Sequence, residues 1–186
     1  MKTKQKQTTE RRNVLKRGLV ALGSLAILPQ LGNARGIGSK EETNKAIVGE
    51  WFTHFWGKTC DLTIVDKLAA PNMLLQYSLH EPRHGREDIK AFMKAFRAAF
   101  PDLNFWGTAD LIAEGDYVVG RWEGGGTHTG PAFADFLVGS LPAASGRKMH
   151  FTGTTVLRLE NGKIIEEIGL DDGVTALQQL QLIKKS

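Results

Sequence analysis

A disulfide within this chain is excluded, because Cys60 is its sole cysteine. No motif surrounds that thiol, so it reads as a small core side chain and not as a nucleophile. A comfortable membrane span is also missing: the apolar stretch from Gly18 to Leu31 is short and broken by glycine. Basic charge is scarcer than the formal net of +4 suggests. Residues 1–17 hold seven Lys/Arg and one acid, Glu10, leaving 17 basic against 19 acidic side chains, a net of −2, for the rest. That removes the main support for a nucleic-acid partner. His80 and His84 flank Glu81, but no third ligand stands at a metal-binding spacing, so no metal is expected. There is no internal repeat and no low-complexity tract, and 186 residues suit a single domain with a substantial core.

The basic N-terminal segment has a pattern of its own. Arg11-Arg12, then Leu15-Lys16, an apolar stretch and the small residues Gly32-Asn33-Ala34 resemble a twin-arginine export signal. Val14 stands where that motif more often has Phe. An ordinary secretory signal or an amphipathic tail is the alternative. The expected organisation is a signal peptide over 1–34, a Gly-rich linker over 35–40 and a mature domain over 41–186, exported to the periplasm or beyond. The twin-arginine route carries folded proteins, which suits a domain without disulfides.

Within the domain, helical spacing of Ala46, Ile47, Trp51, Phe55 and Trp56 predicts a helix over 41–57, with Gly57 as its stop. A short helix is expected over 61–70, ended by Pro71, then a strand over 73–79. Residues 86–100 are the clearest helix, with Ile89, Phe92, Met93, Phe96 and Phe100 on one stripe. Strands are expected over 103–112 and 116–123, with Gly124-Gly125-Gly126 as a bulge or bend. The apolar segment 131–145 is expected to contain a short lid-like helix.

The stretch Gly146 to Leu180 organises the rest. Asn161-Gly162 between the runs 150–159 and 163–170 is a strong hairpin signal, because both residues tolerate positive φ. From Val174 the apolar period becomes helical. Two strands thus deliver Asp171-Asp172 to the start of a last helix. Helices first and strands later is α+β order, and a curved sheet wrapped round the helices would enclose an apolar pocket.

Gly85-Arg86-Glu87-Asp88-Ile89, Phe100-Pro101-Asp102, Gly126-Thr127-His128-Thr129-Gly130, Gly146-Arg147-Lys148, Asn161-Gly162-Lys163-Ile164 and Gln178-Gln179-Leu180 together resemble the SnoaL-like polyketide (ester) cyclases. These belong to the nuclear-transport-factor-2-like superfamily. The resemblance covers about 42–183. It implies a cone-shaped α+β fold, a curved antiparallel sheet wrapped round N-terminal helices, often a homodimer through the outer sheet face. It also implies no cofactor and a pocket in the cone's mouth. Such cyclases close a ring by an intramolecular aldol step with an Asp as acid/base. That Asp falls on Gly169 here, and the assisting Gln and His fall on Gly153 and Thr155, so the aldol mechanism does not carry over intact.

The remaining candidates follow from the strand pattern. Glu167, Gly169 and Asp171 share one face, which makes Asp171 a displaced base or a solvated strand end. Asp172 is a second candidate acid or the cap of the last helix. His128, after the glycine triplet, is an acid, an oxyanion donor or a structural histidine. Tyr77 is a carbonyl donor or a core-edge residue. Trp51, Phe55, His80, Phe96, Trp106, Trp122 and Phe133 are expected to wall the pocket. Two functions stay open: an acid/base enzyme (cyclase, isomerase or lyase) acting on a small apolar or aromatic carbonyl compound, or a non-enzymatic binder of such a hydrophobic ligand.

Overall fold

The structure, a computed structural model, describes residues 38–184. The expected export signal and the start of the linker lie outside the described residues.

Helix α1 (Lys40–Trp51) begins where the Ser39 side chain accepts a hydrogen bond from the Glu42 amide, a serine N-cap. The chain does not continue as an α-helix to Gly57, as its spacing predicts. It passes into a π-helical turn, Phe52–Trp56, closed by Gly57 N–H donating to the Phe52 carbonyl at 2.9 Å. Carbonyls freed at its end are collected by the Arg97 guanidinium, which donates to those of Phe55, Trp56 and Gly57.

After α2 (Thr63–Leu68), strand β1 (Ala69–Gln76) starts before Pro71 rather than after it. Pro71 is tolerated because β2 (Arg83–His84) covers β1 only at Leu74 and Leu75, and the register with β7 is irregular between Ala69 and Leu74. Helix α3 (Gly85–Ala99) buries Ile89, Phe92, Met93 and Phe96, as its stripe requires.

The expected strand over 103–112 is two pieces, β3 (Asn104–Gly107) and β4 (Ile112–Glu114), both paired antiparallel to the long β5 (Tyr117–Thr127). The glycine triplet does not interrupt β5, whose register with β6 (Lys148–Glu160) is continuous through Gly124, Gly125 and Gly126. Its glycines answer crowding instead: a Cβ at Gly125 would lie 2.0 Å from the Met149 carbonyl oxygen. No helix forms over 131–145. Pro131, Gly139 and Pro142 disfavour one, and a bridge between Phe133 and Leu141 folds the segment so that Phe133, Phe136 and Leu141 are buried.

Strand β6 turns at Asn161 (φ 50°) and Gly162 (φ 72°) into β7 (Lys163–Asp171), the positive-φ pair the sequence announces. Helix α4 (Gly173–Gln179) follows. The sheet order is β2-β1-β7-β6-β5-β3, with β4 beside β5. All pairs are antiparallel except β1 with β7. The curved, unclosed sheet and the helices α1 and α3 enclose one continuous apolar core.

Candidate active site

Cross-strand register builds the site. Gly153 faces Asp171, Thr155 faces Gly169 and Leu157 faces Glu167, so one face of the β6–β7 hairpin carries all six inward. Over this face opens a small, partly enclosed cavity. Its wall is aromatic (Phe52, Trp56, Phe96, Phe105, Trp122 and Phe151) and its polar members are Tyr77, His80 and Asp171.

Beneath the cavity floor lies a group that the sequence reading places on the right face without singling out. Glu167 is fully buried. Its Oε2 accepts from Trp51 Nε1 at 2.8 Å, and its Oε1 accepts from Trp56 Nε1 at 2.8 Å and the Tyr77 hydroxyl at 2.6 Å. Trp51 and Trp56 are five residues apart, a spacing that a 3.6-residue turn puts on different faces. The wider π turn lets both indoles reach one carboxylate. Thr155 Oγ1 accepts from Trp122 Nε1 at 2.8 Å and lies 3.0 Å from the Tyr77 oxygen. When Glu167 is ionised the single Tyr77 proton goes to it, so Thr155 is then the donor in that pair. The chain of bonds runs from Trp122 through Thr155 and Tyr77 to Glu167, leaving each polar group satisfied.

Burial raises Glu167 from its ordinary 4.5 to about 7, against the lowering effect of its three donors. Tyr77 is raised well above the usual phenol value, by burial first and then by Glu167. The stability consequence has a definite sign. Between pH 4.5 and 7 the unfolded chain loses the Glu167 proton while the folded chain keeps it. Stability from this group is therefore fully present below 4.5 and falls by about 3 kcal/mol as pH rises through 7. Glu167→Gln should flatten that loss. Urea midpoints at pH 5 and 7.5 are the measurement, and parallel losses in wild type and variant would refute the assignment.

The neighbouring acids at the hairpin's end are driven apart. Asp171 lines the cavity and accepts from the Ser78 hydroxyl, and burial raises its pKa. Asp172 turns away and caps α4, accepting from the Thr175 amide at 3.1 Å, which lowers its pKa. Asp172 thus takes the cap position and does not line this cavity. Of the two acids, Asp171 alone lines the aromatic cavity.

The other expected residues divide. His80, Phe96 and Trp122 reach the cavity with Tyr77 and Asp171. Trp51 and Phe55 are fully buried behind it, stacked at 4.3 Å, where Trp51 serves Glu167. Phe133 packs behind Phe96. Trp106 points outward, 42 % exposed, against His150; its partner Glu123 and the inward Trp122 show that β3 turns this residue to the outer face. His128 does not reach the cavity. Its Nε2 donates to the Pro131 carbonyl at 2.8 Å and its Nδ1 pairs with the Ser145 hydroxyl at 2.9 Å, so it fastens the two ends of segment 128–145.

Gly153 and Gly169 are closed to any side chain. A Cβ at Gly169 would lie 2.0 Å from Tyr77 Cε1, and one at Gly153 would lie 2.2 Å from Trp122 Cζ2. Rings of Tyr77 and Trp122 fill the space above these glycines.

A curved, unclosed sheet packed against N-terminal helices with a cavity in its concave face defines the nuclear-transport-factor-2-like class of α+β cones. A Catenulispora acidiphila protein with a ketosteroid-isomerase-like fold is similar, with a TM-score of 0.57 at 18% identity over 74% of this chain and 93% of that one. Within this class the chain belongs to the SnoaL-like polyketide cyclase family, whose profile matches residues 46–180. A Jannaschia protein assigned as a SnoaL-like polyketide cyclase superposes with a TM-score of 0.65 at 22% identity, over 81% of this chain and 99% of that one. An Acidithiobacillus ferrooxidans protein assigned as a polyketide cyclase does so at 0.59 and 26% identity, over 78% and 97%. Among proteins with curated descriptions, none matches.

Proposed function

We propose that this chain is an exported, cofactor-free acid/base enzyme of the cyclase, isomerase or lyase type. Its substrate is a small aromatic or apolar carbonyl compound, and Asp171 is the base. The observation that carries this reading is Asp171 itself, a carboxylate with a raised pKa in the wall of an aromatic cavity. The aromatic lining favours flat, apolar ligands, and membership of a cyclase family supports carbonyl chemistry. The family's aldol constellation does not transfer, because glycine stands at 153 and 169 and aromatic rings occupy the space above both. The Tyr77 hydroxyl is bonded to Glu167 and Thr155, so it is not a free donor to substrate while Glu167 is ionised.

The testing experiment is solvent-deuterium incorporation into 2-tetralone, an enolisable aromatic ketone, followed by proton NMR. Acceleration by the wild-type protein is expected. No acceleration, together with a stoichiometric ligand retained in native mass spectrometry, would favour the binding-protein reading instead.

Val156 and Leu170 are exposed on the outward face of β6 and β7, with Leu170 77 % exposed, which supports a homodimer through that face. Leu170→Glu should then shift the sedimentation profile to monomer; an unchanged profile argues against it. Residues 1–34 are proposed as a twin-arginine export signal on the strength of Arg11-Arg12. Changing both to Lys should block export of a fused reporter, and continued export would contradict this.

A further inference from the structure

We infer that His80 is a second catalytic group of this site, the acid that hydrogen-bonds and protonates the carbonyl oxygen while Asp171 takes a proton from the adjacent carbon. This rests on the reading of Asp171 as base. The two polar groups that the sequence offers for the carbonyl are otherwise engaged. His128 lies away from the cavity, and the Tyr77 hydroxyl is bonded to Glu167 and Thr155. His80 is 7 % exposed and is one of the residues that line the cavity.

The ring of His80 is held on several sides. It stacks on Phe136 at 5.3 Å and meets Phe92 and Phe96 edge-on at 4.9 and 5.1 Å. Its Nδ1 lies 3.1 Å from the Asp135 backbone oxygen and 3.5 Å from Asp135 Oδ2. A carbonyl oxygen only accepts, so Nδ1 carries a proton in both the neutral and the charged imidazole. Nε2 is therefore the nitrogen that gains and loses a proton, and it has no hydrogen-bond partner among the described residues. The charged neighbours fit this role. Segment 131–141 supplies Asp135, and the Arg83 guanidinium from β2 donates to both its oxygens while lying over Phe92. The end of β7 supplies Asp171, which lines the same cavity as His80. The facing part of α3 offers Phe92 and Phe96. An imidazolium at His80 is thus balanced from behind by Asp135, which Arg83 holds in place.

The step balances without a redox partner. Asp171 takes the proton from the carbon beside the carbonyl, and the C–H electron pair becomes the carbon–carbon double bond. The carbonyl π pair moves to oxygen, which takes the Nε2 proton of His80 to give the enol. Return of the proton from oxygen to His80 and delivery of the proton from Asp171 to a second carbon, conjugated with the enol, completes an isomerisation.

The test uses Asp171→Asn, whose neutral amide imitates Asp171 after it has taken the proton, and 4-nitrophenol, whose phenolate imitates the enolate oxygen. Just below the pKa of free 4-nitrophenol, Asp171→Asn should bind it as the yellow phenolate. Adding His80→Gln should weaken phenolate binding by roughly 10²-fold, the scale of a lost oxyanion donor. Equal phenolate binding by the single and double variants would overturn the role of His80 and leave Asp171 untouched. Binding by neither variant would sink the reading of the cavity on which the inference rests. A second measurement needs no ligand or variant: nitrogen NMR of the wild-type histidines should show the Nδ1–H tautomer for neutral His80, and the Nε2–H tautomer would overturn the proposal.

Discussion

Replacing Asp171 with asparagine should lower deuterium incorporation into 2-tetralone by roughly 10²–10⁴-fold, the usual worth of a positioned general base. The change is nearly isosteric and an amide oxygen still accepts from the Ser78 hydroxyl, so the fold and the affinity for ketone should survive. The loss should thus appear in kcat and not in KM. Asp172→Asn is the natural control. It removes the adjacent charge, but asparagine caps a helix about as well as aspartate, so α4 keeps its start and the exchange rate its value. Equal rates for wild type and Asp171→Asn would end the case for this base. If Asp172→Asn were instead the damaging change, the two acids would have exchanged roles.

Gly169→Asp should fail as a repair. It returns an acid to the position where the resemblance to SnoaL-like cyclases places one, yet activity should fall and stability with it. The Cβ alone would stand 2.0 Å from Tyr77 Cε1 and 2.2 Å from Cδ1, so the ring must leave its site. Moving it breaks the bonds from Tyr77 to Glu167 and Thr155 beneath the cavity. Overpacking of this kind costs about 1–3 kcal/mol, and an uncompensated buried carboxylate adds to it. Gly169→Ala isolates the steric part, and adding Tyr77→Ala should recover much of it, a coupling that denaturation of the two single variants and the double variant measures. Full stability of Gly169→Ala would show that the ring above Gly169 is loosely held and that the position is open to a family-type acid.

Much of this frame is legible in the sequence, and the reasons are local. The α3 stripe, the Asn161-Gly162 turn and the alternation that puts Glu167, Gly169 and Asp171 on one face are written in periodicity and turn chemistry. What is not legible depends on contacts between distant residues. The π turn at Phe52–Trp56 has the spacing of an ordinary helix, and its purpose appears only when Trp51 and Trp56 meet Glu167. Glu167 could have been found from one signal, an acid in the inward phase of a strand with apolar neighbours. His128 and His80 look alike as isolated histidines. Ser145 and Pro131 enclose one, while Asp135 orients the other toward the cavity it lines. The glycine triplet reads as a break because glycine is rare inside strands, but here the backbones of Asn104 and Met149 leave no room for a Cβ at Gly124 and Gly125.

The most direct test of the central claim is a carboxyl-carbon NMR titration of Asp171 and Asp172, with and without 2-tetralone. The account predicts that Asp171 titrates above the ordinary aspartate value and moves when the ketone binds, while Asp172 titrates below it and does not respond. An Asp171 that titrates at or below the ordinary value, and ignores the ketone, would contradict the claim that this residue is the base of the cavity.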